Sequence, residues 1–222
     1  MTVQGTATKT LLLFALVVLT GTITWKMFNA ESAALFPCMI VGALGAIISA
    51  IVCCFKQDKA HIIGPIYALC EGLLLGAISA MFNAAYAGIV MNAILITALI
   101  AGIVFVCYRF GILRASGTFK KVIAFATMGV GVFYLVSWIA SMFGANISVF
   151  SLGWVGLVLQ LVIVGIAALN LVLDFNTIEE NVECGAPAKC EWYAAFGLMV
   201  TLIWIYIEVL RLLVLILGRS RD

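Results

Sequence analysis

The sequence predicts an all-α membrane protein, a bundle of seven transmembrane helices forming a single domain over residues 1–222. Three observations carry that reading. Hydrophobic residues make up 65% of the chain and charged residues only 10%, whereas soluble domains run near about 45–50% and about 25%. The mean hydropathy is +1.24, more apolar side chain than a water-soluble core can enclose. The apolar residues also fall in long runs between short polar breaks, and an α-helix needs about 20 such residues to cross the hydrocarbon.

Seven runs qualify, at residues 11–28, 33–55, 62–82, 86–108, 122–143, 150–173 and 192–217. The first follows a polar N-terminus with one lysine, Lys9, and resembles a signal peptide in outline. No small-residue cleavage site ends it and further spans follow, so it is read as a retained helix. The second reads "GALGAIISA", with Gly42, Ala46 and Ala50 at four-residue spacing. The third reads "EGLLLGAISA", with Gly72, Gly76 and Ala80 likewise. Such faces let helix backbones approach closely. Gly64-Pro65 is expected to open the third span, where proline's missing amide costs nothing. The breaks are "KQDKAH", "NAA", "RFGILRASGTFKK", "GANISV" and, the longest, "DFNTIEENVECGAPAKCE" between spans six and seven.

Charge sets the expected orientation. Lys56 and Lys59 lie in the second loop, and Arg109, Arg114, Lys120 and Lys121 in the fourth, with no acid among the latter. The positive-inside rule places these loops and the N-terminus in the cytoplasm. Seven crossings then put Arg219 and Arg221 outside, which later charges in a chain tolerate.

Few ionisable groups interrupt the spans, and an ionised group at the bilayer centre costs about 2.5–3.5 kcal/mol. Glu71 stands alone in span three, and Asp174 closes span six in "LNLVLDF". Glu208 and Arg211 interrupt "WIYIEVLRLLVLIL" in span seven. Three residues apart on a helix, they share a face and can pair, with Arg211 reaching toward the headgroups. Lys26, near the end of span one, can do the same. Glu179, Glu180 and Glu183, downstream of Asp174, read as a solvated acidic loop. Carboxylates gathered in a partly dry site cannot all ionise, so they share protons and respond to pH. They also supply the hard oxygen ligands that Ca²⁺ prefers, with Asp174 and Glu208 as the candidate ligands.

Other classes lack their residues. His61 is the single histidine, and there is no H-E-x-x-H, no G-x-S-x-G and no phosphate-cradling loop. An enzyme is therefore not expected, nor a cofactor. No basic block carries interleaved aromatics, so nucleic acid is not an expected partner. The seven cysteines form no C-x-x-C pair. Cys184 and Cys190 flank the last loop, but a loop in a reducing cytoplasm keeps free thiols.

Three segments, "GPIYALCEGLLLGAISA", "ALNLVLDFNTIEE" and "WYAAFGLMVTLIWIYIEVLRLL", resemble in this order the Bax-inhibitor-1-like membrane proteins, a family with many bacterial members. Hydrophobic spacing agrees over nearly the whole chain. The resemblance implies seven helices with the last one central, a bacterial plasma membrane, and a pH-sensitive Ca²⁺ leak. In bacterial relatives, two aspartates from the sixth and seventh helices share a proton and hold the pore shut. Asp174 stands at the first position. Anchored on the leucine-arginine end of the last helix, the second position falls on Thr201, with Glu208 two turns further along. The chain thus departs from the two-aspartate pattern. The basic latch residue after span two falls near Lys56 or Lys59.

Two functions follow. In the first, the chain is a cation leak with Ca²⁺ as the transported ion. Asp174 is its gate, and Glu208, Glu71 and Thr201 line the pathway. In the alternative, it is a regulatory membrane protein that binds other membrane proteins, and its buried acids only fix helix register. Membrane lipids are its partners in both.

Overall fold

A computed structural model describes residues 1–144 and 153–219. The predicted loop "GANISV", the first residues of span six and Arg221 lie at least partly outside the described residues. Among the described residues the chain is all-α. Its long helices are α1 (Val3–Asn29), α2 (Leu35–Phe55), α3 (Ala60–Ala85), α4 (Ile89–Arg109), α5 (Gly117–Met142), α6 (Gly153–Glu183) and α7 (Cys190–Arg219), with a short 3₁₀ turn at Gln57–Lys59. All seven are long and apolar enough to cross a membrane.

Three local features differ from the sequence reading. Helix α6 does not stop at residue 173 but runs ten residues further, through the acidic stretch. No glycine or proline interrupts 174–183. The stop comes at Gly185, whose φ of +67° puts it in the left-handed region. There Ala186 N–H donates to the Asn181 carbonyl and Gly185 N–H to that of Val182, the paired bonds of a Schellman cap. At 31 residues α6 is about 46 Å long, well beyond the roughly 30 Å of hydrocarbon. Second, α3 begins at Ala60, so Pro65 sits inside the helix rather than opening it. Third, α1 starts at Val3, with Thr2 as its N-cap accepting from Gly5 N–H at 3.0 Å.

The chain forms two compact units. The first holds residues 1–90 and 176–200; the second holds 91–175 and the chain from Thr201 onward. In the first unit α3 packs against α1 and α2 through the small residues. A Cβ on Gly76 would stand 2.1 Å from the Gly21 carbonyl oxygen, and one on Gly42 would stand 2.8 Å from that of Cys70. Gly42 and Ala46 are buried as expected, but the α2 seam continues through Ser49 and Cys53, with Ala50 half-buried. At one end of this unit buried Glu191, in the first turn of α7, accepts hydrogen bonds from Thr2 N–H at 2.8 Å and the Thr2 hydroxyl at 3.2 Å. It also pairs with Lys9. A carboxylate at a helix N-terminus is favourably placed against the helix dipole.

In the second unit, Asn170 on α6 donates to the Thr127 hydroxyl of α5 at 2.8 Å. Phe175 meets Phe105 edge to face. Helix α7 contributes to both units, and no position from Glu191 to Leu215 is exposed. All seven cysteines are free thiols.

Candidate functional site

Glu208 is only 1% exposed. Within the helix, Trp204 one turn before it and Arg211 one turn after it share its face. Trp204 Nε1 donates to Oε1 at 2.9 Å, and Arg211 Nη1 donates to the same oxygen at 3.3 Å. The other oxygen, Oε2, accepts from the Tyr134 hydroxyl of α5 at 2.8 Å and from Gln160 Nε2 of α6 at 2.7 Å. Gln160 Nε2 also reaches the Glu208 backbone carbonyl at 2.9 Å. The Arg211 guanidinium lies over the Tyr134 ring, 4.7 Å from its centre. Four donors from three helices therefore replace the water that burial strips from this carboxylate, and a cationic partner balances its charge. That combination is what a buried acid needs. It also occupies the oxygens a cation would need.

The Gln160 amide is held in one sense. Turned over, it would aim its oxygen at two Glu208 oxygens, acceptor against acceptor. In the sense that works, Gln160 Oε1 is buried and has no hydrogen-bond partner among the described residues.

Asp174 lies on α6, half-buried as a residue but with Oδ2 wholly enclosed and without a hydrogen-bond partner among the described residues. The hydroxyl of buried Thr201 on α7 lies beside its carboxyl group. Thr201 is the position at which the resemblance placed the second acid of the gate, and here it is a hydroxyl. Asp174 and Glu208 are not joined by any hydrogen bond or ion pair. Seven residues of helix, about 10 Å of rise, separate Thr201 from Glu208.

Glu71 is buried on α3, in the other unit, beside the Tyr67 hydroxyl one turn earlier. Tyr67 in turn packs edge-on against Phe196, with ring centres 5.0 Å apart. Lys56 and Lys59 are exposed and make no ion pair among the described residues. The loop they occupy is tied instead through Asp58, which accepts from Lys189 Nζ at 2.6 Å. The Asp58 carboxylate raises the pKa of the Lys189 ammonium, by hydrogen bonding first and by charge second. Among the described residues, no three of the side chains His, Cys, Asp and Glu gather where they could hold a metal ion.

Reading the sequence for charge alone missed Tyr134, Gln160 and Trp204. Gln160 carried a usable signal as a primary amide inside the apolar run "GLVLQLVIV". It also missed the pairing of Lys9 with Glu191, which joins residues 182 positions apart.

No curated protein and no solved structure matches the chain. The profile of the family described as Bax inhibitor 1 like matches residues 1–218, essentially the whole chain. With seven membrane-spanning helices and a match over nearly its full length, this multi-pass membrane protein belongs to the Bax inhibitor 1-like family.

Proposed function

We propose that the protein provides a pH-sensitive leak pathway for cations, with Ca²⁺ as the ion carried, gated by the protonation state of Asp174. The proposed setting is a bacterial plasma membrane, with the N-terminus on the cytoplasmic side. One observation carries the reading: Asp174 keeps an enclosed carboxylate oxygen with no partner among the described residues, beside a hydroxyl of the last helix. A neutral carboxyl can donate a hydrogen bond, whereas an ionised one only accepts and offers a hard oxygen to a passing cation. The two states thus make different contacts at one point between α6 and α7. Glu208 supports the pathway as an anchor, since its acceptor capacity is filled. Thr201 takes no part in sharing a proton between carboxylates, so the gate titrates as a single site.

The test is reconstitution in liposomes loaded with a Ca²⁺ indicator, scanned between about pH 5 and 8, where a buried carboxylate can change state. Flux above protein-free vesicles should vary with pH, and Asp174→Asn should flatten that dependence. Background flux throughout, or an unchanged profile in Asp174→Asn, overturns the proposal.

A further inference from the structure

We propose that the connection between α4 and α5 is a binding surface for anionic phospholipid headgroups. Gly111, at φ +72°, caps α4. Ile112 N–H donates to the Cys107 carbonyl and Gly111 N–H to that of Tyr108. In such a cap the residue after the glycine ordinarily packs back on the helix. Here Ile112 is 72% exposed, and Phe110 on the other side of the glycine is 77% exposed. The chain between is not loose. Arg114 Nε closes it by donating to the Gly111 carbonyl at 3.2 Å, and Ser116 N–H donates to the Arg114 carbonyl at 2.9 Å. Two large apolar side chains are therefore held outward by a fixed backbone at the end of a membrane-spanning helix.

Around them Arg109, Arg114 and Lys121 are exposed, and no acid occurs from residue 109 to 121. Apolar side chains beside cations of one sign match the membrane interface, where a wedge enters the acyl boundary and ammonium and guanidinium groups meet phosphate. A nucleic acid would meet the cations but leave Phe110 and Ile112 in water. A membrane already spanned by α4 and α5 accommodates both. Arg114 is already oriented by its bond to Gly111, which lowers the ordering cost of binding. The net negative charge of the lipid, rather than its phosphate alone, sets the preference, because a zwitterionic headgroup repels the cations with its own ammonium.

The experiment uses the full chain in detergent, titrated with phosphatidylglycerol or phosphatidylcholine and read by native mass spectrometry. Phosphatidylglycerol should be retained over phosphatidylcholine. The preference should fall by about fivefold for each cation removed in Arg109→Gln, Arg114→Gln and Lys121→Gln, and weaken with added salt. Phe110→Ser with Ile112→Ser should lower retention of both lipids without changing their ratio. Equal retention of the two lipids by the unaltered protein overturns the inference. So does a preference that survives the triple Gln variant, provided that the variant elutes as a single species with unchanged helical circular dichroism.

Discussion

Replacing Glu208 separates an anchoring role from an incidental one. In Glu208→Ala the Tyr134 hydroxyl, Trp204 Nε1 and one bond of Gln160 Nε2 lose their acceptor, and Arg211 loses its counter-charge. Arg211 is a third exposed and can turn toward the headgroups, so the loss falls on the three neutral donors. A buried donor left unmet, as Gln160 Nε2 would be, costs about 1–3 kcal/mol and the part-buried Tyr134 and Trp204 donors less, partly offset because the carboxylate no longer has to be desolvated. The net is about 3–5 kcal/mol, the range for breaking a buried pair by removing one partner. In Glu208→Gln the amide oxygen still serves Trp204 and Arg211. The amide NH₂ faces Tyr134, whose hydroxyl can turn to accept, and Gln160, whose unpartnered Oε1 can rotate in to receive it. That exchange forfeits the Gln160 bond to the Glu208 carbonyl and costs about 1 kcal/mol. At about 2–4 °C per kcal/mol, Glu208→Ala should lower the thermal midpoint by about 6–20 °C and Glu208→Gln by a few degrees. The assay heats the protein in detergent and follows the monodisperse peak by fluorescence-detected chromatography. A midpoint for Glu208→Ala within a degree or so of the unaltered protein would refute the anchoring argument. So would equal losses in the two variants.

Three further outcomes are expected. Gly76→Ala brings a methyl to 2.1 Å from the Gly21 carbonyl oxygen, where carbon and oxygen normally keep about 3.3 Å. The α1–α3 contact must open, at about 1–3 kcal/mol, read as a lowered thermal midpoint; Gly102→Ala, with nothing within 4 Å, serves as the unchanged control. Thr201→Asp rebuilds a pair of carboxylates opposite Asp174, and the pH profile of leak should steepen from one proton toward two; a slope identical to that of the unaltered protein contradicts the single-site gate. Lys9→Ala removes the cation beside Glu191, and hydrogen exchange of residues 2–9 should rise while exchange in α4 and α5 stays unchanged.

The spans were legible because the hydrocarbon imposes one length on every crossing, so the apolar runs and the helices coincide to within a few residues at most edges. The largest miss was instructive. Residues 174–183 were read as loop because their polarity signals the end of the membrane, yet a helix ends where its backbone is capped, and that signal, Gly185 followed by Pro187, stood in the sequence. Glu208 stood out by its insertion cost, but its partners did not. Tyr134 and Gln160 lie 74 and 48 residues away, and neither is unusual in a membrane span.

The sequence by itself determined the seven crossings, the family and the few positions where a charge demands a reason. Those follow from composition and local spacing, which the bilayer reads directly. Only the tertiary structure decided which acid is satisfied and which is not. It surrounds Glu208 with four donors and leaves Asp174 with a hydroxyl and an oxygen to spare. That outcome depends on which faces of α5, α6 and α7 meet. Helix rotation and register set those faces, and an apolar pattern that faces lipid nearly all round constrains them only weakly.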